Sequence, residues 1–240
     1  GAAGGMKEVP EAVATHPMVF LTLTAPSFGA VHTTATDRRD GTCEHGMPKG
    51  CRCTHAEDDP QRGDAVCPDC YDYVGQVVWQ YHAPELWRRF TIRLRRELAR
   101  TLGITQRAAS RIVRVQFAKV AEFQRRGVVH FHAIIRLDGV DPVDPFPPAP
   151  ASVTTAHLIE AIGAAVKKTH VVAALAPGDD VSRELRSGKQ FDARVIVRHD
   201  GLDGSLSDRV VVAYIAKYAT KATEESFARC STRMAPQCTA

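Results

Sequence analysis

The chain has 240 residues, of which 44% are hydrophobic and 24% charged, an ordinary composition for a globular protein. Its formal charge of +4 permits an acidic partner but does not require one. No apolar run approaches the length of about 18 residues that a membrane span needs, which excludes a membrane-embedded class. The length allows one large domain, or one domain that carries an insertion.

The N-terminal part predicts one strand followed by an unusually long irregular stretch. Residues 1–16 are interpreted as an extension that includes a cloning remnant, because residues 1–5 are all glycine or alanine. Residues 17–24, PMVFLTLT, alternate in the manner of a strand, which Pro26 ends. Residues 36–75 lack apolar periodicity and are too long for an ordinary loop. We predict that they form an inserted module with its own organiser.

Cysteine spacing indicates that this organiser is zinc. Five of the seven cysteines lie between positions 43 and 70, and no secretory signal is visible, so metal binding in a reducing cytoplasm is favoured over disulfides. Zinc takes four Cys or His donors, usually in pairs. The sequence predicts a structural zinc on Cys43, Cys51, Cys67 and Cys70, with Cys53, His45 and His55 in reserve. Four protein ligands leave no open position, so this site is expected to be structural.

A basic helix follows the module. The helical pattern begins near Gln76, and residues 84–102 carry apolar side chains at near-helical spacing. Arginines between them could contact DNA phosphates or form a solvated face. The arginines are Arg88, Arg89, Arg93, Arg95, Arg96 and Arg100.

Two histidines inside an apolar strand are the clearest functional signal. Side chains alternate along a strand, so His130 and His132 would project from the same face. The upstream run 111–124 and the turn 125–127 predict a hairpin with a three-residue loop, and that register puts Glu122 opposite His130. Nitrogen and oxygen donors then converge, which suits Mg²⁺, Mn²⁺ or Zn²⁺. The other face is expected to be core and comprises Phe123, Val129, Phe131 and Ala133.

Further elements follow the hairpin. Residues 141–151 are rich in proline and form an internal linker. Ser152 or Thr154 could cap a helix that runs to about Lys168. Residues 190–198 are rich enough in β-branched side chains to predict a strand.

The C-terminal part predicts a loop, a helix and a tail. Residues 201–207 form the loop, and Ser207 or Asp208 could cap a helix over 209–223. Residues 229–240 are expected to be a tail truncated from a longer protein. Together the elements predict the α+β class, with a central antiparallel β-sheet flanked by helices.

The last predicted helix carries two phenols beside two ammonium groups. Tyr214 and Tyr218 are four residues apart and therefore neighbours on one face, joined by Lys217 and Lys221. The cations would attract a phosphate and lower the cost of forming a phenolate. An amphipathic helix with boundary tyrosines is the structural alternative. A metal that polarises a phosphate, beside a phenol nucleophile, would make a phosphoryl-transfer site.

Three motifs resemble those of the HUH endonucleases: FLTLTAP at 20–26, HFH at 130–132 and YIAKYATK at 214–221. Within that superfamily the chain is similar to rolling-circle replication initiators (Rep) of actinobacterial plasmids and integrative conjugative elements. The stretches 71–90 and 121–139 also resemble that group. The resemblance implies an HUH endonuclease domain over residues 17–228.

This resemblance implies a fold and a mechanism. The two histidines would lie on a central strand and hold Mg²⁺ or Mn²⁺ with Glu122 as third ligand. Tyr218 would nick single-stranded or hairpin origin DNA first, forming a 5′-phosphotyrosine, with Tyr214 as its partner. Lys217 or Lys221 would position the phosphate or stabilise the phenolate. Host helicase and replication proteins are the implied further partners, and the cytoplasm the implied location.

Three alternatives stay open. A conjugative relaxase or a transposase would use the same chemistry. A zinc-organised DNA-binding module would need no catalysis, and a metal phosphoesterase would use water in place of a tyrosine.

Overall fold

A five-stranded sheet forms the centre of the molecule. The computed structural model describes residues 11–37, 39–173, 182–197 and 206–207. The strands are β1 (Met18–Leu23), β2 (Arg114–Phe123), β3 (Val129–Asp138), β4 (Val171–Ala173), β5 (Arg183–Leu185), β6 (Phe191–Val197) and β7 (Leu206–Ser207). Their order in the sheet is β2-β3-β1-β6-β7, and β4 pairs with β5 separately. All pairs are antiparallel except β6 with β7. The mixed fold with an antiparallel sheet therefore agrees with the predicted α+β class.

Two helices cover one face of this sheet. These two helices are α1 (Tyr73–Thr101) and α3 (Thr155–Lys168), which pack against each other. A short helix, α2 (Gln106–Ala109), follows α1. Alternate residues of β1 and β3, such as Leu21 and Ala133, are fully buried in one apolar cluster with Phe90 of α1 and Leu158 of α3. This parity leaves the intervening residues of β3, including His130 and His132, on the opposite face. In the part of the chain that the structure describes, no helix offers an apolar stretch fit to cross a bilayer.

Helix α1 is longer than the sequence pattern predicts. It begins at Tyr73, where the Asp72 carboxylate accepts a hydrogen bond from the Gly75 backbone N–H at 2.7 Å. Pro84 lies inside this helix on its exposed side and does not end it. Tertiary packing of the apolar stripe therefore outweighs the helix-breaking tendency of the proline.

The hairpin has the predicted register. Gly127 adopts φ 77°, which glycine tolerates, and Gln124 N–H donates to the Val128 carbonyl at 2.9 Å. Glu122 consequently lies directly opposite His130. The prediction that Phe123 belongs to the core is wrong, because its side chain is 48% exposed. It is the last residue of β2, which is the edge strand of the sheet.

The later elements agree with the sequence in part. Helix α3 is capped by Thr154, whose hydroxyl accepts from the His157 backbone, as one of the two predicted caps. Residues 141–151 contain neither a regular helix nor a strand, apart from one bridge between Asp138 and Pro148. The predicted loop 201–207 is corrected at its end, where Leu206–Ser207 adds a short strand to β6. The sequence analysis missed β4 and β5, which are only three residues long.

The cysteine-rich segment contacts the hairpin turn at two places. Tyr71 donates from its hydroxyl to the Gln76 side-chain oxygen at 2.6 Å, and the Gln76 amide donates to the Arg126 carbonyl at 2.9 Å. Arg125 donates to the Asp59 carbonyl at 2.9 Å. The segment following Cys70 is thus hydrogen-bonded to the turn that precedes the histidines.

Candidate metal centres and nucleic-acid groove

The histidine pair lies near the middle of the sheet on the face away from the helices. His132 is flanked by β1 and β2, opposite Thr22 and Val120, and is 3% exposed. The rings of His130 and His132 have centroids 6.5 Å apart. Phe20 stacks on His132 with centroids 5.8 Å apart and an interplanar angle of 10°. Neighbouring strands and an aromatic ring therefore fix the orientation of His132.

His132 is hydrogen-bonded through both ring nitrogens. Its Nε2 lies 2.7 Å from Glu122 Oε2, and its Nδ1 lies 3.0 Å from Thr22 Oγ1. A metal-ligating imidazole needs one nitrogen for the ion and the other held by a polar partner. Thr22 is placed as the polar partner of Nδ1, and the Glu122 carboxylate faces Nε2. Thr22 lies within the FLTLTAP motif, but the sequence alone gave it no role.

His130 has a buried nitrogen that no described residue hydrogen-bonds. Its Nε2 atom is inaccessible to solvent and makes no hydrogen bond with any described residue. Burial, followed by the positive charge of Arg126, lowers the pKa of His130 to about 4. The imidazole is therefore neutral at physiological pH and has a lone pair to offer to a cation. An orphaned polar atom of this kind is costly unless a partner binds it.

The three predicted ligands of the catalytic metal lie on neighbouring strands, but, among the described residues, their ligand atoms are not all within 4.8 Å of one another as those of the two cysteine-containing clusters are. Glu122 pairs with His130 across the two strands and contacts His132 through its carboxylate. Two imidazoles and one carboxylate form a donor set that suits Mn²⁺ or Mg²⁺ and also Zn²⁺. The predicted catalytic residues Tyr214, Tyr218, Lys217 and Lys221 lie outside the described residues.

A groove of about 1010 Å³ opens beside His130. It is lined by the end of the FLTLTAP motif, the hairpin turn and the segment from Arg183 to Gln190. Four cations and two carboxylates contribute to its walls, which gives an excess of positive charge. These residues are Arg126, Arg183, Arg186, Lys189, Asp72 and Glu184. A basic groove that ends at His130 is suited to a phosphodiester backbone.

A four-donor cluster lies in the cysteine-rich segment. Cys43, His45, Cys67 and Cys70 bring their ligand atoms within 4.8 Å of one another. His45 Nδ1 is 3.2 Å from Cys70 Sγ and 3.7 Å from Cys67 Sγ. Three thiols and one imidazole match a tetrahedral structural zinc site.

The thiols of this cluster share their protons unequally. Burial alone would raise the pKa of Cys43, but hydrogen bonds from the His45 and Met47 backbones and from neighbouring thiols lower it to about 7. Hydrogen bonding to Cys67, followed by burial, raises the pKa of Cys70 to about 12. The cluster therefore contains one thiol with a lowered pKa and one with a raised pKa.

The predicted zinc quartet needs one correction. Cys51 is not part of this cluster but lies with His32 and His55 in a separate three-donor cluster. Its place is taken by His45, one of the predicted reserves. Cys53, another reserve, is exposed and belongs to neither cluster. Sequence spacing could not separate the two sets, because their ligands alternate along the chain.

The basic helix, α1, lies on the face of the sheet opposite the histidines. Trp87 of α1 packs against Phe131, on the face of β3 opposite the histidines. Arg88 and Arg89 are paired with Glu85, and Arg100 with Glu97. Contact between DNA and the six predicted arginines stays a prediction. Any DNA they bind would lie across the sheet from His130.

Together these features define a protein of mixed helices and antiparallel sheet, with Cys/His clusters able to hold metal. The chain matches, over residues 1–239, the model of the family described as "RepSA: Replication initiator protein, pSAM2". It is 46% identical over 223 residues to a protein of Streptomyces ambofaciens described as "Replication initiator protein". That alignment covers 92% of this chain and 46% of the relative, so the chain spans about half of the relative's length. No solved structure matches the chain.

The chain therefore belongs to the RepSA family of replication initiator proteins.

Proposed function

We propose that this chain nicks and rejoins single-stranded origin DNA by HUH chemistry at the start of rolling-circle replication. The observation that carries the proposal is the buried Nε2 of His130, which has no hydrogen-bond partner among the described residues, on a residue opposite Glu122 and with its ring centroid 6.5 Å from that of His132. The adjoining basic groove supports a DNA strand as the substrate. The family match supports a role in replication initiation.

His130, His132 and Glu122 would hold a divalent cation, Mg²⁺ or Mn²⁺. Bound there, the ion would polarise the scissile phosphate and offset its charge. When Nε2 of His132 binds the ion, Thr22 would accept the hydrogen bond from Nδ1 and so hold the ring in place. Arg126 and the other groove cations would position the DNA backbone.

Tyr218 is the proposed first nucleophile and Tyr214 the second. The phenolic oxygen attacks phosphorus and gives up its proton, a bond from oxygen to the 5′-phosphate forms, and the bond to the 3′-oxygen breaks. That oxygen takes up a proton and leaves as a 3′-hydroxyl, which can prime synthesis. The phosphotyrosine ester retains the energy needed for rejoining. Lys217 or Lys221 would steady the phenolate.

Covalent capture tests this assignment. The full chain is incubated with Mn²⁺ and labelled oligonucleotides that together cover the origin region of the genetic element that encodes it. Adducts are then separated under denaturing conditions. We expect a 5′-linked adduct that is lost on combined Tyr214→Phe and Tyr218→Phe substitution, or on combined His130→Ala and His132→Ala substitution. Tyr81→Phe is the matched control, because Tyr81 is 80% exposed on α1. An adduct that survives loss of both tyrosines would refute the catalytic assignment.

We further propose a structural zinc on Cys43, His45, Cys67 and Cys70, which replaces the predicted quartet. This site favours one competing function, a zinc-organised DNA-binding module without catalysis. That alternative requires replication to persist after His130→Ala with His132→Ala and to fail after Cys67→Ser. A relaxase or transposase would give the same adduct but on transfer-origin or transposon-end DNA. Host helicase and replication proteins remain the proposed partners. The proposed location is the cytoplasm.

A further inference from the structure

The second cluster in the cysteine-rich segment has the donors of a metal site of its own. His32 Nδ1 lies 2.9 Å from His55 Nε2 and 3.4 Å from Cys51 Sγ. Tetrahedral zinc bonds of normal length place two nitrogens about 3.4 Å apart, and nitrogen and sulfur about 3.6 Å apart. The nitrogen–sulfur separation is close to its expected value, whereas the nitrogen–nitrogen separation is shorter and would have to open when an ion binds. All three ligand atoms lie within 4.8 Å of one another.

These donors are held in place by the backbone. His32 exchanges backbone hydrogen bonds with Asp64 and Gly63, both at 2.9 Å. His55 N–H donates to the Thr33 carbonyl at 3.2 Å, and the Cys51 carbonyl accepts from Asp37 at 2.7 Å. Cys51 is 1% exposed and His55 is 7% exposed. A buried thiol and a buried imidazole in an irregular segment must have polar partners or a bound ion to offset the cost of burial.

A carboxylate orients one of the imidazoles. His55 Nδ1 lies 2.8 Å from Asp59 Oδ2, which fixes the proton on Nδ1 and turns Nε2 toward His32 and Cys51. Metal-ligating histidines commonly hold the second nitrogen on a carboxylate in this way. Asp59 is therefore a positioning residue.

The ligands of the two clusters alternate along the chain. His32 precedes Cys43 and His45, then come Cys51 and His55, then Cys67 and Cys70. Each cluster therefore closes a loop that contains ligands of the other. Such cross-bracing can order a segment that has little regular structure and a small apolar core.

We propose that His32, Cys51 and His55 bind a second zinc ion, with Asp59 behind His55 and water as fourth ligand. The proposal is independent of DNA nicking. Three protein ligands leave one coordination position open, unlike the four-donor cluster nearby.

Zinc content and cobalt spectra test the second site on the full chain. We expect the wild type to hold two zinc ions, Cys51→Ser and Cys67→Ser to hold one each, and Cys53→Ser to hold two. Cys53→Ser is the matched control, because that thiol is exposed and outside both clusters. In the cobalt-substituted protein, Cys51→Ser should remove one of the four cobalt–thiolate bonds and with it about a quarter of the charge-transfer absorption.

A milder variant keeps the test valid if Cys51→Ser does not fold. Asp59→Asn should weaken the binding of one zinc by about 10- to 100-fold in competition with a chelator, and leave the other unchanged. A wild-type content of one zinc would overturn the proposal. So would a content of two that Cys51→Ser leaves unchanged, or loss of a zinc ion from Cys53→Ser.

Discussion

Thr22 offers a sharp test of the proposed histidine centre, because it would act on the proposed metal only through His132. It lies opposite His132 on β1, with Oγ1 3.0 Å from Nδ1. When Nε2 binds a cation, the neutral ring carries its proton on Nδ1 and donates it to Thr22. The substitution Thr22→Val keeps the shape of the side chain and removes that acceptor.

The expected loss follows from the role of the hydroxyl. Removing the second partner of a ligating histidine weakens metal binding by about 10- to 100-fold, equivalent to about 1.4–2.7 kcal/mol. Folding should lose only about 1 kcal/mol, the usual value for one hydrogen bond. The Mn²⁺ dissociation constant is measured by calorimetric titration, and the Mn²⁺ concentration for half-maximal nicking is measured in parallel. Both should rise by the same factor.

Thr91→Val is the matched control. Thr91 is 7% exposed on α1 and donates to the Arg88 carbonyl at 2.9 Å, on the layer away from the histidines. It should lose comparable stability without any change in Mn²⁺ affinity. Unchanged affinity in Thr22→Val, or an equal loss in both variants, would show that Thr22 does not orient a ligand.

Three further predictions concern stability, measured by urea unfolding. Glu97 is buried. Burial is the largest single effect on the pKa of its carboxyl and raises it, but the ion pairs with Lys168 and Arg100 together hold that pKa below the ordinary 4.5. Glu97→Gln should therefore cost about 1–2 kcal/mol at pH 7, since its partners are half exposed, and the difference should shrink as the pH falls below 4.5. Gly127→Ala should cost about 1–2 kcal/mol because φ is 77°. Gly163→Ala in α3, where the new methyl group would lie 3.7 Å from the nearest ring atom of Phe191, should instead gain up to about 1 kcal/mol. Changes of the same sign in both variants would contradict the backbone argument. Asp138→Asn should cost about 3–5 kcal/mol, because the carboxylate is 2% exposed, pairs with the Arg136 guanidinium and is hydrogen-bonded to His16. Asp192→Asn at an exposed pair should cost less than about 1 kcal/mol.

The histidine hairpin was predictable because its signals are local. A glycine at the third position of a three-residue loop fixes the register, and the register fixes which carboxylate lies opposite His130. The Thr154 cap is local in the same sense. Each of these features depends on residues a few positions apart, where sequence pattern and geometry are directly linked.

The division of the metal ligands was not predictable in this way. His32 is separated from Cys51 and His55 by a loop that holds ligands of the other cluster, and spacing alone cannot decide which donors meet. Phe123 was misassigned because alternation gives the face of a strand but does not reveal that the strand end lies at the sheet edge. Both misses concern long-range packing.

The hydrogen bonds from Tyr71 through Gln76 to the Arg126 carbonyl have a practical consequence. Tyr71 directly follows a cysteine of the four-donor cluster, and Arg126 lies in the turn that leads into His130. Under the proposed assignment, removing zinc from the four-donor cluster would weaken these hydrogen bonds and displace the turn, so a chelator could abolish the proposed nicking without removing the proposed ion at the histidines. Inhibition by chelators alone would therefore misidentify the catalytic metal, unless zinc content and Mn²⁺ rescue are followed side by side.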